Sequence, residues 1–301
     1  NGYSIIQKSP SLSYYNLRFV KTSSSVTCRG VTHEYYDVPE GDLSNLDESF
    51  LFIDDVGDGG SKGDKAPRDL RLLTEGIEDV STPTDLKGRY YFYRANTYFD
   101  TNQNEKAIED YKKRIEIGGW IEEVWYSKYR IGLALERLHR LNDATIALLE
   151  AYQHHPKRAE PLYELTRINR TVGKHHLSYA FYKLAKAIPY PENDLLFINR
   201  TVYSYLLDYE LSIIGYYVGV KDIDKLIVSL LNKEEANLDF RHMMSNYKFY
   251  SRNLPAVTTC DFTDNNVFPG FSSSTPCIIK INGGYQICLL YTSDAADDTP
   301  C

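Results

Sequence analysis

Three small residues, Ala107, Ala144 and Ser178, recur at intervals of 37 and 34 residues. This recurrence narrows the possible folds more than any other feature of the chain. Each of the three sits in a segment with helical apolar spacing, and each such segment is preceded by another, with a polar break between them. In the first pair, Tyr91, Ala95 and Tyr98 precede the break Asp100–Asn104, and Ala107, Ile108, Tyr111 and Ile115 follow it. The second pair offers Ile131, Gly132 and Leu135, then Ala144, Leu148, Ala151 and Pro156. The third offers Leu162, Leu165 and Thr166, then Ser178, Tyr182, Ala185 and Pro189. A small residue lets two helix backbones approach, and the aromatic residues fill the space around it. Repetition at about 34 residues means that stacked neighbours, not single units, bury the apolar faces. Arg89 to Pro191 is therefore predicted to be an array of helix hairpins. Gly118–Glu123 lengthens its first linker. A capping hairpin is predicted over Leu195–Gly219 and Asp222–Leu231.

The flanks read differently. Tyr3–Ile6, Tyr14–Val20 and Val26–Tyr36 are rich in β-branched and aromatic residues and predict strands. A short apolar strand, Phe50–Ile53, leads to a glycine-rich acidic loop, Asp54–Asp64. Leu70, Leu73 and Ile77 then predict a helix over Pro67–Glu78. Near the other end, Phe271–Ile281, Asn282-Gly283-Gly284 and Tyr285–Ile287 predict the start of a β-hairpin. The run Cys288–Asp298 resembles the translated end of a sequencing-library adapter, so the native chain is read as stopping near Ile287.

The chain has 301 residues and a net charge of −7. A mildly acidic chain without a basic stripe gives no reason to expect nucleic-acid binding. No run approaches the length of a transmembrane helix. The five cysteines show neither Cys-x-x-Cys spacing nor His partners at zinc-finger distance, which suits free thiols in a reducing compartment. A cytoplasmic location is expected.

Three clusters bear on chemistry. His33 beside Glu34, in Thr32–Asp37, has the residue types for a metal ligand or a base. Its zinc-protease likeness fails, because Asp37 stands where a second His belongs and Gly30 and Pro39 oppose a helix. The loop Asp54–Lys65 has glycines that permit close approach to phosphate. Walker and dinucleotide spacings both fail at Lys62, and calcium-loop spacing fails at Val56. The many tyrosines, 26 in all, could stack on sugars or bases, but those in the array fall at packing positions. The His154-His155 and His175-His176 pairs are unsuited to metal, since adjacent helical residues do not face each other.

The hairpin offsets, Tyr91-x3-Ala95-x2-Tyr98 and Ala107-x3-Tyr111, resemble the tetratricopeptide repeat. The order of the remaining pieces resembles family 2 glycosyltransferases with appended tetratricopeptide repeats. That resemblance rests on Gly30–Tyr36, Asp55–Lys65, Arg68-Asp69 with Leu72-Leu73, Arg89–Tyr98, Gly118-Gly119-Trp120, Glu123–Tyr126, Arg158–Tyr163 and Pro189–Pro191. It continues in Phe271–Pro276 and Ile278–Asn282. It implies an α+β chain, mainly a helical array. Residues 1–85 would be the C-terminal remnant of an α/β transferase domain and 86–235 the array. Residues 236–287 would begin a truncated β domain, and 288–301 would be the adapter-like tail. The parent would transfer a sugar from a nucleotide-sugar donor, with Mn or Mg, to a glycan or protein acceptor. The donor half, with its Asp-x-Asp motif, is expected upstream of Asn1, so the 301 residues alone are expected to hold neither metal nor donor. By the same resemblance His33 is the implied metal ligand, Glu34 and Asp58 the implied catalytic carboxylates, and Lys62 and Lys65 the implied donor-binding lysines. The alternative is a non-catalytic interaction scaffold that binds a peptide on its repeats.

Overall fold

The structure, a computed structural model, describes residues 2–8, 13–22, 26–38, 43–54, 56, 65–233, 240–250, 277–281 and 284–288. The implied residues Asp58 and Lys62 lie outside these, as does most of the acidic loop.

The array begins with α1 (Lys65–Glu78) and continues as three hairpins: α2 (Thr84–Asp100) with α3 (Asn104–Ile117), α4 (Ile121–Arg137) with α5 (Leu141–His154), and α6 (Glu160–Thr171) with α7 (His175–Lys186). The predicted small residues are where the helices touch. Ala95 and Ala107 are fully buried, and so are Ala144, Thr166 and Ser178. The Ser178 hydroxyl donates to the Thr166 carbonyl at 2.7 Å, so two helices nearly share a backbone bond. A Cβ placed on Gly132 would lie 2.7 Å from Leu148 Cγ. Between the buried pairs sit Tyr111, Leu148 and Tyr182, four residues after each small residue, which is one turn further along the same face.

Each hairpin turns the same way. Asn102, His139 and Gly173 adopt left-handed backbone (φ 60°, 59° and 74°). In each case the next N–H returns to a carbonyl five residues earlier: Gln103 to Tyr98, Arg140 to Leu135 and Lys174 to Asn169, at 2.8 to 2.9 Å. This is the 6→1 bond of a glycine-type helix terminus. Gly219 repeats it after α8 (Leu207–Val218), where the Val220 N–H reaches the Gly215 carbonyl. A π-helical turn, Val202–Leu206, opens α8. Helices α9 (Ile223–Leu231) and α10 (Phe240–Lys248) then cover the end of the array through Ile223, Ile227, Leu230, Met243 and Tyr247.

Here the structure departs from the sequence reading. Residues 195–199, predicted to be helical, are not. The left-handed turn residues are spaced 37, 34 and then 46 apart. The last interval exceeds the ~34-residue period by about 12, and that excess is an irregular strap running from Ala187 to Asn199.

At the other end, β1 (Gly2–Lys8) pairs antiparallel with β2 (Ser13–Val20). The opposite edge of β1 is lined in succession by β5 (Leu43–Asn45) and β6 (Phe52–Asp54), both parallel to it. The predicted third strand is instead two short ones, β3 (Thr27–Arg29) and β4 (Tyr35–Asp37), joined across a bend at residues 31–33. Val31 and Tyr35 of this small hairpin pack on Leu73, Leu86 and Tyr90, seating it against α1 and α2. Of the predicted C-terminal hairpin, β7 (Cys277–Ile281) pairs antiparallel with β8 (Gly284–Cys288), while residues 271–276 and 282–283 lie outside the described residues. Among the described residues no helix is long and apolar enough to cross a membrane.

Candidate functional site

The first helices of the hairpins, α2, α4 and α6, form the face that the strap crosses, called the inner face below. The repeat phase puts Arg89, Tyr126 and Glu160 in one column of this face and Tyr93, Arg130 and Glu164 in the next. Both columns step by 37 and 34 residues.

The strap is held by its main chain. The N–H groups of Leu195 and Leu196 both donate to one carboxylate oxygen of Glu122, at 2.8 and 2.5 Å. The carbonyls of Leu196 and Phe197 accept from the two terminal nitrogens of Arg158, at 3.2 and 3.1 Å. Arg158 is 0% exposed. It also binds Glu160 at 2.8 Å and lies over the Trp125 ring, 3.9 Å from its centroid. Its charge is thus buried only because a carboxylate, an aromatic face and two carbonyls surround it. Glu160 is anchored further by the Tyr203 hydroxyl at 2.7 Å and by the Asn199 N–H. Asp194 meets His155 Nε2 at 2.8 Å and Arg158 at 3.4 Å. So His155 has a structural partner in Asp194.

Phe197 lies two residues before the strap's end. Its ring packs against Tyr126, with centroids 4.8 Å apart, and against Phe92 at 6.4 Å. Its backbone is left-handed (φ 43°), a conformation that costs a bulky residue about 1–3 kcal/mol. Phe197 also lines a cleft of about 390 Å³, together with Tyr93, Asn96, Thr97, Asp100, Tyr126 and Arg130 on the array, and with His33, Lys65 and Asp69 at its rim. The cleft floor is fixed by a relay. Arg130 donates to Asp100 at 2.7 Å and to the Tyr111 hydroxyl at 3.2 Å, and Tyr111 donates to Asn96 at 2.6 Å. The Arg130 guanidinium also lies 3.6 Å from the Phe99 centroid.

His33 and Lys65, far apart in sequence, therefore meet at one rim. His33 stacks flat on Tyr93 (4.0 Å, 6°), in left-handed backbone, while its carbonyl accepts from Arg89 at 3.1 Å. Loss of water against Tyr93 lowers its pKa, aided by Lys65 and Arg89 and opposed by Asp69. Glu34 is exposed on the next residue. The Asp69 carboxylate is engaged by Arg68 at 3.0 Å and by the Thr32 hydroxyl at 3.4 Å. Among the described residues no three His, Cys, Asp or Glu side chains gather as a metal set.

Sequence reasoning missed Glu122, Tyr126, Arg130, Arg158 and the strap residues Asp194 and Phe197 as site residues. Carrying the repeat phase onto α4 and α6 would have exposed the inner-face columns. The strap carries no periodic signal.

No family model matches the chain, and no curated protein matches it. Among solved structures, the crystal structure of MamA aligns with 67% of this chain and 99% of that chain, at a TM-score of 0.42 and 15% identity.

Proposed function

We propose that this chain acts through its helical array as a binding platform for irregular segments of other proteins, with the inner face as the working surface. The supporting observation is the strap, a non-helical segment whose N–H and carbonyl groups are taken up by Glu122 and Arg158 on that face. Main-chain recognition of this kind does not depend on the side chains of the bound segment, and side-chain slots then select among segments. The test is a selection from a random peptide library displayed on phage against the whole chain, with binders re-measured on Arg130→Ala and Tyr126→Ala. Binding weakened at least tenfold by either substitution supports the reading. Peptides that bind both variants as tightly as wild type, or no peptides at all, defeat it.

A second reading, a piece of a family 2 glycosyltransferase, is favoured by the meeting of His33 and Lys65 at one cleft rim. In that reading Lys65 and Lys62 hold the donor diphosphate, and Glu34 and Asp58 serve the acceptor hydroxyl. His33 is its metal ligand, but the described residues do not by themselves assemble a metal set. Because this reading assigns donor binding to a longer parent chain, its test is Mn²⁺-dependent hydrolysis of UDP-glucose, UDP-N-acetylglucosamine and GDP-mannose by that parent, wild type against His33→Ala. Metal-dependent hydrolysis lost in the variant supports transfer chemistry at this rim. Hydrolysis that is absent, or equal in both proteins, removes His33 as the ligand.

A further inference from the structure

We infer that the strap is a built-in competitor for the inner face, and that the partner it keeps out is a protein segment of the strap's own pattern: an acid, any residue, a bulky apolar residue and an aromatic. This inference rests on the platform reading above and names its partner class and its regulation.

Four observations carry it. Recognition of the strap is divided between main chain and two side chains. Asp194 enters a basic corner made by His155 and Arg158, and Phe197 enters the aromatic slot of Phe92 and Tyr126. Leu195 between them is 63% exposed and selects nothing. The strap is also imperfect as an occupant. Phe197 must take left-handed backbone so that the chain can turn back toward α8, and it remains 37% exposed. A separate peptide has no such turn to make. Finally, the strap leaves the groove where the groove continues. Phe197 is itself one wall of the 390 Å³ cleft, whose other walls include Tyr93, Asn96 and Arg130, so a chain that runs on past the Phe197 position meets them. A partner segment can therefore repeat the strap's contacts without its strain and add contacts the strap never makes. What favours the strap is its tether, which gives it a high effective concentration over the site. The balance between tether and strain makes the strap an occupant that a partner can displace.

The test uses the strap's own sequence as probe: a fluorescein-labelled peptide of residues 191–198, Pro-Glu-Asn-Asp-Leu-Leu-Phe-Ile. Its anisotropy is followed on wild type and on the double variant Asp194→Ala/Phe197→Ala, with a control peptide bearing Ala at the Asp and Phe positions. The expected result is binding to the variant at least tenfold tighter than to wild type, and none by the control. If the variant keeps the wild-type far-ultraviolet circular dichroism in buffer without denaturant yet does not bind the probe, the strap is a structural tie and the inference falls. If the variant does not fold, amide hydrogen exchange on wild type decides. Leu195 and Leu196 amides that exchange well below the global opening free energy support a displaceable strap. Exchange only through global unfolding overturns it. Library peptides that need Tyr126 and Arg130 but neither compete with the probe nor respond to strap release would leave the platform reading standing and sink this one.

Discussion

Gly132 shows how one side chain's absence sets the distance between two helices. With Leu148 Cγ 2.7 Å from where its Cβ would be, an alanine there must push α4 and α5 apart. Alanine gains about 1 kcal/mol in helix propensity, but overpacking costs typically 1–3 kcal/mol. Gly132→Ala should therefore lower stability, by about 1 kcal/mol in urea titration. His139 is the converse. It holds a left-handed turn that glycine adopts freely, so His139→Gly should stabilise by about 0.5–1 kcal/mol. His33 makes a pH prediction. Its folded pKa lies below the unfolded value near 6.5, so between the two values the unfolded chain binds more protons. Stability should then rise with pH through that window and be lost as pH falls from about 6.5 towards the folded pKa. An NMR titration of the imidazole should give a midpoint below 6.5, and His33→Gln should remove this part of the pH dependence. The sequence made Gly132 legible through its place in the repeat. It did not make the stacking of His33 on Tyr93 legible, because that contact joins residues 60 apart through a bend with no periodicity.

Among elements, the hairpins were readable and the strap was not. Helices α2 to α7 announce themselves by small residues in fixed phase, because close backbone approach leaves no alternative residue type. Only the strap's last part, residues 195–199, reads as the start of a helix, with Leu195, Leu196 and Ile198 as an apolar face. What overrides that local preference is tertiary: the Glu122 carboxylate and the Arg158 guanidinium take the backbone groups that a helix would use itself. Arg158 is the element's keystone. Truncating it leaves Glu160 buried with fewer partners and the strap carbonyls unpaired, so Arg158→Ala should cost about 3–5 kcal/mol, read as a fall in the urea midpoint. Phe197→Ala removes a half-exposed ring and should cost less than half of that.

For the whole molecule, a stack of hairpins held by neighbour contacts alone unfolds piecemeal. This one has ties that skip neighbours, since Leu195 and Leu196 reach back 73 and 74 residues to Glu122. The strap thereby joins the fourth helical layer to the second. Wild type should unfold in one sharp transition, and Asp194→Ala/Phe197→Ala in a broader one with a lower apparent denaturant slope. Fluorescence of Trp125, under Arg158, and far-ultraviolet circular dichroism should then cease to coincide. The overall helical architecture was legible from the chain because it repeats. The inner-face cleft and its occupant were not, because they are made where the repetition is broken.

The strap also sets an order in time. Hairpin contacts are local and close quickly, whereas a chord across more than seventy residues must wait for the helices at both its ends. The strap should accordingly dock after the rate-limiting step, and interactions made that late hold the native state against opening without hastening its formation. The molecule's lifetime once folded, more than the speed with which it folds, is what these few irregular residues govern.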